Sequence, residues 1–291
     1  MNQHEKIQSL EGHALLPGGR VGVLLIHGLG GTPVELRFVA QGLNRAGYTV
    51  YSPLLIGHGG SEELLNTTNW QDWYRSVEEA HDLLKERCDF ILVGGLSAGA
   101  MLALHLAAQR PQHVHGALLF SPTMWPNGWA IPWYFAFFKL IRQKWFANLF
   151  HLKECAPYGI KDDRIRKFVL ESLGSDGRPL YPVFGRRGGT VLEFRWLVDA
   201  VKRELAQVKQ PTLIFHSRLD DQADIDNTIA LLNRLGGLVD VVVLDDSYHM
   251  VTLDRQRALV VERTVAFAAW LVQWQQRHSE VARLVKGSAG D

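Results

Sequence analysis

Six short apolar runs, residues 21–27, 48–54, 90–96, 116–121, 212–216 and 240–244, constrain this chain more than any other feature. They are rich in Val, Ile, Leu and Phe and show little polar alternation. Runs of that kind suit strands buried on both faces of a parallel sheet. Between them lie segments of helical periodicity, at about 69–87, 98–110, 191–207, 224–235 and 255–278. Regular alternation of the two predicts a doubly wound α/β architecture, a mostly parallel central sheet flanked by helices. A further helix is expected to open at Thr32-Pro33-Val34-Glu35, read as a capping box with Pro at the first helical position, and to end at Gly47.

The alternation breaks once. No strand run of the parallel kind occurs between 122 and 189, and ten of the chain's 29 aromatic residues fall between Trp125 and Phe150. This predicts a core of residues 1–121 and 190–291 with a mainly helical lid, 122–189, inserted into it. Within the lid, 132–150 reads as one helix carrying Trp133, Phe137, Leu140, Ile141, Lys144 and Phe146, and 161–173 as a second, followed by a Gly/Arg-rich loop. Trp133 and Phe137 are candidate substrate-binding residues on a stripe roofing an acyl pocket. Two other readings of the aromatics are an interfacial element resting on lipid headgroups and a small core private to the lid.

Composition excludes several classes. A net charge of +1, from 31 Lys+Arg against 30 Asp+Glu, supplies no field for nucleic acid. Two cysteines make no disulfide framework, so Cys88 and Cys155 are expected to be reduced thiols. No run of 18 apolar residues suggests a membrane span, and residues 1–19 lack a signal-peptide core, which together suggest a cytoplasmic protein. His113-Val114-His115 has no companion ligands, so no metal is expected.

The chemistry centres on Gly95-Leu96-Ser97-Ala98-Gly99, a G-x-S-x-G between a buried run and a helical segment. Such a sharp strand-to-helix turn strains the serine and lifts its Oγ above the sheet. Serine needs a base within hydrogen-bond reach, and on this scaffold the order is Ser, then Asp or Glu, then His. His249 follows the run 240–244 and is the candidate base. Asp220 follows 212–216 and is the candidate acid, with Asp221 and Asp224 as competitors and Asp245-Asp246 as an outside choice. His27-Gly28-Leu29-Gly30-Gly31-Thr32 fits neither a dinucleotide fingerprint, since Pro33 stands where glycine is required, nor a phosphate loop. It reads instead as an oxyanion loop, with the backbone amides of Leu29 and Ala98 as donors and His27 as a brace. His58 is expected to shape a turn near the site mouth.

These motifs, with Gly57-His58-Gly59, Asn69-Trp70-Gln71-Asp72-Trp73 and Ser247-Tyr248-His249-Met250-Val251-Thr252-Leu253-Asp254, resemble bacterial carboxylesterases of the monoacylglycerol-lipase-like branch of the α/β-hydrolase superfamily. The likeness runs through roughly 19–121 and 191–274. It implies the α/β-hydrolase fold, a triad of Ser97, Asp220 and His249, oxyanion amides at Leu29 and Ala98, and no cofactor. The implied activity is cleavage of carboxylic esters with an apolar acyl chain through an acyl-enzyme. The 122–189 insertion is longer than the lid of the small esterases of this branch. Alternatives on the same residues are an acyl thioesterase, in which Lys161, Arg164, Arg166, Lys167, Arg186 and Arg187 meet a phosphorylated carrier, a proline-type aminopeptidase, a C–C bond hydrolase, and a catalytically silent binding scaffold.

Overall fold

The computed structural model describes residues 8–10, 12–153, 156–172 and 185–287. An eight-stranded sheet is built from β1 (Gln8–Leu10), β2 (His13–Leu16), β3 (Val21–Ile26), β4 (Thr49–Ser52), β5 (Phe90–Leu96), β6 (Gly116–Phe120), β9 (Thr212–Ser217) and β10 (Val239–Leu244), in the order β1-β2-β4-β3-β5-β6-β9-β10. A separate two-stranded sheet pairs β7 (His151–Lys153) with β8 (Gly185–Arg187), antiparallel. From β4 to β10 every pairing in the large sheet is parallel. Each apolar run became a strand, for the reason its composition suggested. In β3, Leu24 and Ile26 pack to one face while Val23 and Leu25 pack to the other, all fully buried.

The antiparallel pair β1–β2 was not foreseen. Every residue of β2 is half-buried, so neither a continuous apolar run nor a polar alternation marks it.

Helices cover both faces. On one, α1 (Arg37–Arg45) packs against α9 (Arg257–Gly287) so closely that a Cβ on Gly42 would lie 2.2 Å from Val261 Cγ1. On the other lie α3 (Trp70–Lys85), α4 (Ala98–Gln109) and α7 (Gly188–Glu204). Residues 98–108 of α4 are all buried, because α4 is wedged between the sheet and α7. Of the remaining helices, α2 (Glu62–Thr67) was unassigned in the sequence, and α8 (Asp226–Leu232) falls within its expected segment.

Two expectations need correction. Thr32 caps nothing with its side chain. Residues Pro33–Leu36 form a 3-10 turn before α1, and the Glu35 carboxylate accepts the Gly28 N–H at 2.8 Å instead of turning back to Thr32. Gly47 does take a left-handed conformation after α1 (φ 94°).

The second correction concerns 132–150, which is not one helix. It divides into a 3-10 segment, Trp133–Leu140, and a single turn, α5 (Lys144–Ala147). Consecutive aromatics are poor helix formers. The carbonyls that would continue the helix are taken by Arg195 of α7, whose guanidinium donates to Phe138, Lys139 and Ile141. The stripe therefore does not exist as imagined. Trp133 is 79% exposed and Phe137 61%, while Phe138 is buried beside Phe135 and Trp125. The second helix is present as α6 (Asp163–Ser172). Cys155 and most of the Gly/Arg-rich loop lie outside the described residues; Cys88 is a buried free thiol.

Candidate active site

At the end of β5 the chain turns directly into α4, with Ser97 at φ 55°, ψ −113°. That strain is imposed by crowding. A Cβ on Gly95 would come within 2.2 Å of the Gly99 backbone, and one on Gly99 within 2.2 Å of the Ile26 carbonyl oxygen. Both glycines are thus steric requirements of the turn, which is anchored by the Ser97 N–H donating to Phe120 O at 2.9 Å. The Ser97 hydroxyl donates to Thr123 Oγ1 at 3.2 Å. No sequence signal marked Thr123.

His249 lies on the loop after β10. Its Nδ1 sits 2.9 and 3.0 Å from the two oxygens of Asp220. The loop is held from below by Ser121 Oγ, which donates to the His249 carbonyl at 2.7 Å. Asp220 Oδ1 also accepts the N–H groups of Gln222 and Ala223, at 2.9 and 2.8 Å. Burial pushes this carboxyl up, but His249, His216 and the Ala223 N–H outweigh it and hold it below the ordinary range.

The competing acids have other work. Asp221 accepts the backbone N–H of Gly159 at 2.8 Å and of His249 at 3.3 Å, and burial raises it. Asp224 accepts the Asp226 N–H at the start of α8. Asp245 and Asp246 pair on the surface with Arg218, Lys161 and Arg255, away from His249.

The loop after β3 has an ordered logic. Leu55 N–H donates to His27 Nε2 at 3.1 Å, so Nδ1 carries the hydrogen, and it lies 2.9 Å from Gly28 O. Gly31 N–H donates to the same oxygen at 2.9 Å. Because a peptide's C=O and N–H point oppositely, these two bonds set the direction of the Leu29 N–H. Neither Leu29 nor Ala98 donates its N–H to a backbone acceptor among the described residues. His58 does hold a turn, its Nδ1 3.1 Å from Ile56 O, but it does not line the cavity. It is buried edge-on between the His27 and Trp73 rings, behind the loop.

Burial lowers His27 from 6.5 to about 4, despite its bond to Gly28 O, and holds His58 well below its ordinary value. The unfolded chain therefore takes up a proton at His27 over a pH range in which the folded chain does not. Stability should fall as pH drops from 6.5 towards 4 and level off below, at a cost of roughly 3 kcal/mol for this residue. Urea unfolding at pH 7.5 and 4.5 should show a smaller pH-dependent loss in His27→Asn than in the parent; equal losses would assign the effect to other groups.

Ser97, His249, Leu29 and Ala98 line one cavity of about 670 Å³. Its walls include Val34, Ile131, Phe135, Phe150, Phe194 and Met250. Neither Trp133 nor Phe137 lines it; the neighbouring Tyr134 and Phe135 do. Two polar residues of the wall, Glu35 and Arg186, were misjudged in the sequence, the first as a helix cap and the second as part of a cationic face.

The model of the family described as serine aminopeptidase, S33, matches residues 20–256. A thermostable monoacylglycerol lipase of Bacillus sp. (strain H-257) is 29% identical over 260 residues, covering 86% of this chain and 91% of that protein. A carboxylesterase of Bacillus subtilis (strain 168) is 24% identical over 266 residues, covering 86% and 93%. Among solved structures, a metagenome-derived lipolytic enzyme superposes with a TM-score of 0.74 at 28% identity, covering 90% of this chain and 99% of that one.

Proposed function

Since the chain has the α/β-hydrolase fold and belongs to the serine aminopeptidase, S33, family, we propose that it hydrolyses carboxylic esters with an apolar acyl chain, as a carboxylesterase or monoacylglycerol-type lipase. One observation carries the reading: a strained serine shares an apolar cavity with a histidine whose Nδ1 is held by a buried aspartate. The lipase and carboxylesterase names of the relatives support it.

With Nδ1–H directed at Asp220, His249 Nε2 is the nitrogen that acts as base. It takes the Ser97 proton as Oγ attacks the ester carbonyl, and Asp220 stabilises the imidazolium. The oxyanion is received by the Leu29 and Ala98 N–H groups. His249 returns the proton to the leaving alcohol, then activates the water that frees the acid. No step in this sequence calls on a metal or cofactor.

Among the described residues, the cavity wall favours esters over the family's other chemistries. An aminopeptidase must pair its substrate's α-ammonium with an anion. The wall offers one carboxylate, Glu35, already bonded to Gly28 N–H, alongside two cations, Arg166 and Arg186. The thioesterase alternative gains nothing either. Lys161 pairs with Asp246, Arg166 with Asp163 and Ile160 O, Arg186 with Leu29 O, and Arg187 lies 3.7 Å from Glu63. A silent scaffold would have no use for so strained a serine. Fluorophosphonate labelling of Ser97 and p-nitrophenyl esters of increasing chain length test the proposal against amino-acid p-nitroanilides. Absent labelling, or faster anilide cleavage, would sink it.

The proposal includes residues 122–189 as a lid on the core of 1–121 and 190–291. β6 and β9 are direct neighbours in the sheet, so the chain leaves the sheet and returns to it across this segment. Its inner side contributes Ile131, Phe135 and Phe150 to the cavity. Its outer side exposes Trp133, Phe137, Leu140 (76%) and Trp145 (70%), with Lys139 and Arg142 among them. Apolar, aromatic and basic together, this surface suits peripheral contact with a lipid–water interface. No described helix is long and apolar enough to cross a membrane, and we place the protein in the cytoplasm. Phe135→Ala should reorder kcat/KM across ester chain lengths. Trp133→Ala/Phe137→Ala should leave that order unchanged and weaken cosedimentation with phosphatidylglycerol-containing vesicles; the reverse pattern would restore Trp133 and Phe137 to the pocket.

A further inference from the structure

Arg186 stands on β8, within the inserted segment, 157 positions beyond Leu29 in the chain. Its Nη2 donates to the Leu29 carbonyl at 2.9 Å, and the residue is 8% exposed on the cavity wall. The guanidinium lies flat on Gly30, where a Cβ would sit 2.4 Å from Nη2. Gly30 itself has φ 68°. A cation drawn from the inserted segment is thus buried against the loop that presents the Leu29 N–H.

The two peptide planes at Leu29 are held differently. Three bonds grip Gly28: its N–H to Glu35, and its C=O from His27 and Gly31. The following plane, Leu29–Gly30, is gripped by Arg186. Glycine accepts either sign of φ with little penalty, so a freed Leu29–Gly30 plane can turn over at small cost. A Leu29 carbonyl turned into the cavity would present oxygen where negative charge develops in the reaction. The bonds that Glu35 and His27 make to Gly28 do not prevent that, because they act on the two planes before, His27–Gly28 and Gly28–Leu29.

We propose that Arg186 is a positioning residue that locks the Leu29 carbonyl away from the oxyanion site, so that the inserted segment completes the oxyanion hole. The guanidinium also contributes a fixed positive charge beside the hole, in a site of low dielectric. This rests on the ester-hydrolase reading with Leu29 N–H as a donor. It assigns the inserted segment a part in the chemical step besides roofing the acyl pocket.

The variants are Arg186→Gln and Arg186→Met, the latter filling the volume of the arginine stem, with Arg187→Ala as a control for general loosening of β8. The readouts are kcat and KM on p-nitrophenyl butyrate, Ki of an alkyl trifluoromethyl ketone, whose adduct on serine carries an oxyanion, and thermal midpoint. Both Arg186 variants should lose about 10- to 100-fold in kcat with KM within about threefold, and ketone Ki should rise by the factor that kcat/KM falls, because the lost interaction belongs to the transition state. Arg187→Ala should match the parent. Arg186→Lys, which keeps the charge without the planar fork, should fall between, about threefold or more below the parent in kcat. If the Gln and Met variants do not fold, the Lys variant decides alone, and parent-like kcat and Ki in it overturn the proposal. So do a loss confined to KM, or an equal loss in Arg187→Ala. A parent protein that neither cleaves the ester nor binds the ketone would instead overturn the hydrolase reading itself.

Discussion

Replacing Ser97 by alanine should lower ester hydrolysis about ten-thousand-fold or more, while the protein stays folded. The rate falls so far because no other described hydroxyl stands on that turn. The fold survives because the anchoring bond, Ser97 N–H to Phe120 O, uses the backbone. Alanine must still adopt φ near 55°, but the parent carries the same strain, so the stability change is confined to the Ser97–Thr123 hydrogen bond, about 1 kcal/mol. Initial rates on p-nitrophenyl esters, with thermal midpoints alongside, make the measurement. Retention of more than about one percent of parent activity would move the nucleophile elsewhere, since loss of such a residue removes the covalent route entirely.

The second large effect is expected at Asp220. Asp220→Asn should cost about ten-thousand-fold in kcat, because an amide NH₂ facing Nδ1 favours the tautomer whose Nε2 already carries hydrogen. Asp221→Asn should be far milder. Burial raises Asp221, and its two oxygens accept the backbone N–H groups of Gly159 and His249, so asparagine keeps the shorter bond, to Gly159, and gives up only the longer one, without touching the His249 ring. Asp224→Asn should be mildest, since that carboxylate serves the start of α8. Ordering by kcat on one soluble ester decides the matter. Comparable losses at all three positions would remove Asp220 from its assigned role.

The acid shows how far chain position reaches. Asp220, Asp221 and Asp224 all follow β9 within a few residues, and periodicity cannot choose among them. Family resemblance favoured Asp220, and the folded loop brings both its carboxylate oxygens to His249 Nδ1. The turn at Ser97 is different. Gly95 is required by the Gly99 backbone four positions on, a constraint written and read locally, whereas Gly99 is required by the Ile26 carbonyl on the adjacent strand β3.

The inserted segment was the least legible part, and Arg195 shows why. Residues 132–150 look helical because apolar residues recur there, but Arg195 of α7, more than fifty positions away, takes the Phe138, Lys139 and Ile141 carbonyls, and the segment forms a 3-10 run that stops at Leu140. With that helix gone, Trp133 and Phe137 turn to solvent and Tyr134 and Phe135 face the cavity. Glu35 misled for a similar reason. Its spacing from Thr32 matches a capping box, yet the Gly28 N–H lies within reach and takes its carboxylate.

What the sequence determined by itself was whatever depends on near neighbours and on the identity of an apolar run: the parallel strands, the helices between them, the strained turn and the loops that hold Ser97, Asp220 and His249. Tertiary structure decided which polar groups satisfy one another across the fold. Thr123 on Ser97, Glu35 on Gly28 and Arg186 on Leu29 are pairings of that kind. A buried hydrogen-bonding group must find a partner wherever the packed chain places one. That choice depends on distance in space, which residue order along the chain does not carry.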